Sequence, residues 1–146
     1  MVISRDVINT RLKRLDKALQ ILQQSSETSY EELTGNAVLL SAVERNFQVA
    51  IECILDIGNH IIAEKGFESP DESGDIIRIM GEEDIIPSDY ASRIKGMPGF
   101  RNILIHEYTE IDYHLLYSYL SDQLDDFREF ARYISVYLEK EENKQS

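Results

Sequence analysis

Cysteine is almost missing from this 146-residue chain, with Cys53 the single one. No internal disulfide can form, and Cys53 lies in an apolar stretch, which reads as a buried, inert thiol rather than a nucleophile. No apolar run approaches the ~18 residues that a membrane-spanning helix needs. The opening MVISRDVINT has no apolar core of a secretory leader. Both absences lead us to expect a cytoplasmic protein with no membrane partner. Basic residues are scarce as well, 15 against 27 acidic, for a net charge of −12. A surface that negative repels polyanions at long range, which argues against a broad nonspecific nucleic-acid binder, and no DNA partner is expected. An RNA site is compatible with this charge only as a local cationic cleft, one assembled from more than one copy. There is no Gly-rich phosphate loop, no GxSxG and no CxxC, and neither strand-like alternation nor an internal repeat is visible.

What is present is helical patterning. Hydrophobic residues make up 42% of the chain, enough to build the core of one domain over 1–146. Ile8, Leu12, Leu15, Leu19 and Leu22 form one stripe of an amphipathic helix, with Ser4 as its N-cap, broken by SSETS at 25–29. A short turn, YEEL, leads through Gly35-Asn36 into a long helix from Ala37 to about Lys65, which Gly66 ends. Its apolar residues cover more of the circumference than one core stripe needs, so it is either central or shared with a second chain. We expect a homodimer. FESPDESGD at 67–75 reads as a loop, and a short helix through IIRIM follows, stopped near Gly81. Pro87-Ser88 opens another, which GMPG at 96–99 interrupts before it resumes through Phe100. Leu116, Leu120, Leu124, Phe127, Phe130, Ile134 and Leu138 place a final helix from about Thr109 to Glu139, followed by a charged tail expected to fray. Four substantial helices on mostly short connections make an all-α, antiparallel helical bundle.

The stretch that carries chemistry is RNILIHEY at 101–108. Asn102 and His106 are four apart and share a helix face, so the amide can bond one imidazole nitrogen and set the tautomer. Arg101 lies about 140° around from His106 and about 7.5 Å along the axis. A long arginine side chain closes part of that gap, and a two-fold partner presenting the same surface can close the rest. Thr109-Glu110-Ile111-Asp112 reads as a capping box with Thr109 as N-cap, which places His106 and Tyr108 at a helix terminus beside a tight corner. Histidine moves protons near neutral pH and a guanidinium fork matches phosphate oxygens, a pairing suited to cleaving RNA by attack of the ribose 2′-OH on the adjacent phosphate. Spacing alone leaves the plain alternative open, a helix that happens to carry three polar side chains. His60 and His114 read as structural or surface residues. A metal site from His106, Glu110 and Asp112 matches no strong ligand signature.

RNILIHEY followed by TEID resembles the signature of the HEPN superfamily and, more narrowly, of the HepT toxin family. There the arginine, histidine and tyrosine positions correspond to Arg101, His106 and Tyr108, with Asn102 in the polar slot after the arginine. LDIGNHIIAEKG at 55–66 is similar to a second stretch of that family, so the resemblance spans essentially the whole chain. It implies a HEPN-like bundle that dimerises, with two Arg/His sets facing one cleft. It also implies a metal-independent endoribonuclease, without cofactor, acting as the toxin of a type VII-like toxin–antitoxin system. The implied partner is an MntA-like nucleotidyltransferase antitoxin that transfers AMP to Tyr108. The competing reading is a non-catalytic HEPN-like module that docks a nucleotidyltransferase.

Overall fold

The structure is a computed structural model and describes residues 4–106 and 110–145. Eight helices are described: α1 (Arg5–Ser25), α2 (Tyr30–Thr34), α3 (Ala37–Lys65), α4 (Ser73–Glu82), α5 (Ser88–Ile94), α6 (Met97–Ile105), α7 (Tyr113–Asp122) and α8 (Leu124–Gln145). No strand occurs among the described residues, in accord with the all-α expectation.

Helix α3 is the axis of the bundle. Asn36 caps its start by accepting the Leu39 N–H through Oδ1, 3.1 Å. Gly66 ends it in the left-handed region at φ 71°, a conformation that a side chain would strain. Helix α1 runs antiparallel to it: the Ser4 N–H donates to Glu64 Oε2 at 2.8 Å, and Arg11 meets Asp56 at 3.3 Å further along. Helix α8 is antiparallel to α1, with Arg5 paired to Glu142 at one end and Arg128 bonded to Gln23 at the other.

From Val43 onward the wide apolar face of α3 is covered within the single chain. Val43, Phe47, Ala50, Ile51, Ile54, Ile57, Ile61 and Ile62 are all buried, against α1, α2, α4 and α6. Of the two readings of that face, central and shared, the fold selects central. The width of the stripe is therefore no argument for a second copy. Phe47 sits in an aromatic cluster with Phe100, Tyr119 and Phe127, at centroid distances of 5.7, 5.9 and 5.7 Å. Phe100 also stacks flat on Tyr119 at 4.0 Å, which fixes α6 against the core.

Four boundaries differ from the sequence reading. The helix through IIRIM begins at Ser73, inside the stretch read as loop, and ends at Glu82, beside the expected stop near Gly81. A Cβ on Gly81 would lie 2.8 Å from Ala91 Cβ, so this glycine permits the close crossing of α4 and α5 rather than stopping a helix. The long C-terminal helix is two helices, broken at Gln123, although the apolar stripe runs on through the break. The charged tail is helical to Gln145, because Glu141 is buried at 8% exposure and accepts a hydrogen bond from Lys65 on α3. Helix α7 starts at Tyr113 with Asp112 as N-cap, not at Thr109. The Asp112 carboxylate accepts the N–H groups of His114 (3.0 Å) and Leu115 (3.2 Å), a charge-assisted cap that leaves residues 110–112 outside the helix.

Candidate active site on α6

Helix α6 opens with Pro98 in its first turn, where a missing N–H costs nothing, and it buries Met97, Pro98 and Phe100. This anchorage turns the next residues, Arg101 and Asn102, toward the surface, Arg101 half-buried and Asn102 exposed. The helix ends at Ile105. His106 is its C-cap, exposed, with its own backbone in the extended region at φ −92° and ψ 103°. The expected helix terminus at Glu107 or Tyr108 therefore comes earlier. Tyr108 and Thr109 lie outside the described residues.

Arg101 donates from Nε to Asn102 Oδ1 at 3.0 Å and from Nη2 to Ser73 Oγ at 3.1 Å. The polar residue after the arginine thus bonds the arginine itself through its amide oxygen, a contact that the spacing did not announce. Both acceptors are neutral. Other arginines hold carboxylates: Arg78 meets Glu68, Asp75 and Glu82 at 2.8, 3.4 and 3.0 Å, and Arg93 meets Asp126 and Glu129 at 2.9 and 2.8 Å. Arg101 forms no such pair among the described residues. In a chain of net charge −12, this is a local site where cationic character is not cancelled.

Ser73 escaped the sequence reading. It stands 28 residues before Arg101, within a stretch read as loop, and no spacing rule links the two. The structure brings them together by laying the start of α4 beside α6. The groove of about 320 Å³ between α4 and α5, lined by Gly74, Arg78, Ser88, Ser92 and Lys95 among others, includes neither Arg101 nor His106.

The remaining candidates have structural explanations. Burial pushes the Cys53 thiol up to about 11, which keeps it protonated and unreactive. His60 faces Glu64 one helical turn on, at 3.0 Å. His114 stacks on Tyr30 at 4.4 Å. Asp112 is engaged as the α7 cap, and among the described residues no group of three His, Cys, Asp or Glu could hold a metal ion. No helix is long and apolar enough to cross a membrane among those residues.

Residues 15–134, which include Arg101 and His106, match the ribonuclease HepT-like family. The chain belongs to the HepT-like family. Among its relatives is the mRNA nuclease HepT of Shewanella oneidensis, 25% identical over 131 residues that cover 90% of this chain and 98% of that one. The tRNA nuclease HepT of Aphanizomenon flos-aquae is 26% identical over 132 residues, 90% of each chain. The HepT-like fold is also evident in solved structures. The cytosolic protein YutE of Bacillus subtilis aligns with a TM-score of 0.83 and 25% identity over 97% of this chain and 95% of that one. A tri-AMPylated HEPN toxin of S. oneidensis, solved in complex with its MNT antitoxin, aligns with a TM-score of 0.82 and 24% identity, covering 90% and 98%.

Proposed function

We propose that this HepT-like chain is a toxin ribonuclease that cleaves RNA without a metal, with Arg101 and His106 as its catalytic residues. The observation that carries the reading is the arginine, its guanidinium held by two neutral oxygens on a helix that ends in an exposed histidine. When a ribose 2′-OH attacks the neighbouring phosphorus, the 2′-O–P bond forms and the P–O5′ bond breaks. One proton leaves the 2′ oxygen and one reaches the 5′ oxygen, transfers within the capacity of an imidazole. The phosphorane between those steps carries extra negative charge, which the guanidinium stabilises through charge-assisted hydrogen bonds. Asn102 supports Arg101. Relatives named as an mRNA nuclease and a tRNA nuclease support RNA as the substrate class.

Because Arg101 and His106 sit on an outer helix, a second copy would supply the other wall of the cleft, and the active form is a homodimer. Val38, Ile105 and Tyr113 are available for such a contact at 81%, 41% and 38% exposure. The partner is an MntA-like nucleotidyltransferase, which silences the toxin by transferring AMP to Tyr108; the toxin–antitoxin complexes among the structural neighbours support this. The setting is cytoplasmic.

The test is incubation of purified protein with total RNA beside His106→Ala. Wild-type cleavage that persists in EDTA and vanishes in the variant, with the thermal transition unchanged, is expected. Intact RNA with wild-type protein would instead leave a docking module for the nucleotidyltransferase. Loss of cleavage on chelation would assign a metal nuclease.

A further inference from the structure

The bond between α4 and α6 raises the question of why an arginine in so acidic a chain is held by a hydroxyl. Asp75 and Glu82, the two carboxylates of α4, are engaged elsewhere. Asp75 Oδ2 accepts the N–H groups of Asp71 at 3.1 Å and Glu72 at 3.3 Å, and Arg78 gathers Glu68, Asp75 and Glu82. These contacts keep negative charge occupied on α4 and leave the neutral Oγ of Ser73 as the acceptor that reaches Arg101. A carboxylate at this position would hold the guanidinium more tightly, but it would also cancel the charge that a phosphate needs. A hydroxyl fixes the geometry without neutralising the group. Nε and Nη2 are the donors held by Asn102 and Ser73, so two acceptors from two helices define the plane of the fork. Among the described residues, that leaves the Nη1 side as the edge available to phosphate oxygens.

We propose that Ser73 is a positioning residue for Arg101, setting the aim of the guanidinium from α4 while leaving its charge uncancelled for an RNA phosphate. This rests on the ribonuclease reading above. Preorganised donors matter most where charge develops in the transition state, so losing the hold lowers turnover more than substrate binding. Ser73→Ala should reduce kcat about tenfold, or ~1.4 kcal/mol of barrier, with KM changed less than about twofold. Ser73→Thr keeps the hydroxyl and should restore most of the rate. The loss should shrink in an Arg101→Lys background, where the fork is absent.

The experiment combines RNA cleavage kinetics of these variants with the side-chain ¹H–¹⁵N resonance of Arg101 Nε, which reports the guanidinium environment without needing activity. A shifted Nε–H signal in Ser73→Ala that returns in Ser73→Thr, together with the kcat loss and its rescue, is the expected result. An unmoved Nε–H resonance, wild-type kcat in Ser73→Ala, or equal losses in both variants with a lowered melting temperature would each overturn the proposal. If wild-type protein cleaves no RNA, the ribonuclease reading fails by itself, and the resonance still decides whether Ser73 holds Arg101.

Discussion

Gly58 gives the sharpest quantitative test of how this bundle packs. A Cβ built there would lie 2.8 Å from Ile76 Cγ2, 2.8 Å from Met80 Sδ and 2.9 Å from Met80 Cε, all on α4. Two effects oppose each other in Gly58→Ala. In a helix interior alanine is favoured over glycine by ~1 kcal/mol. Forcing a methyl into a filled contact costs ~1–3 kcal/mol. The neighbours decide which wins. The thioether of Met80 can swing aside, but the β-branched Ile76 is held to one rotamer in a helix and gives way only if α4 moves. The net expectation is a destabilisation of about 1 kcal/mol, a fall in melting temperature of roughly 2–6 °C. Gly74→Ala is the control, since nothing lies within 4 Å of its Cβ, and it should hold or raise the melting temperature. Thermal unfolding by circular dichroism of both variants measures the contrast. A Gly58→Ala protein that melts at or above wild type would refute the argument that close approach of α3 and α4 requires glycine here.

Arg101→Lys should lower cleavage by at least ~100-fold, the loss that follows removal of a transition-state donor, because an ammonium cannot reproduce the fork; a rate near wild type in a gel-based RNA assay would reduce Arg101 to a generic cation. Tyr108→Phe should keep measurable RNase activity yet escape inactivation by a cognate nucleotidyltransferase with ATP and Mg²⁺, and mass spectrometry that places the adduct on Tyr113 or Tyr117 would count against it. Glu141 is held below its ordinary value of 4.5 chiefly by the hydrogen bond from Lys65. Its contribution is therefore complete above about pH 5 and lost as pH falls through the lowered value, so Glu141→Gln should cost ~1–2 kcal/mol at neutral pH and flatten the acid limb of urea midpoints measured from pH 7 to 3.

Local rules carried much of this protein's architecture. The 3.6-residue periodicity of Ile8 to Leu22 identifies one face of α1, and Asn36 and Gly66 bound α3 because a side-chain cap and a left-handed residue act within one turn of themselves. The Arg101–His106 spacing, with Asn102 between, was legible for the same reason. A short motif survives folding unchanged. The reading failed where two local signals competed or where a distant residue decided. Thr109 and Asp112 both make acceptable N-caps, and Asp112 prevailed by accepting two backbone N–H groups. The apolar stripe of 116–138 passes through Gln123 without a mark, so the break between α7 and α8 is invisible to periodicity. The breadth of the α3 face had two explanations, and only the placement of α1, α2, α4 and α6 chose between them. Ser73 is the clearest case of what tertiary structure alone determines. Its contact with Arg101 depends on how α4 lies beside α6, and the close approach of α4 at Gly58 is part of that placement. Sequence supplied the guanidinium; the packing of two helices supplied its aim.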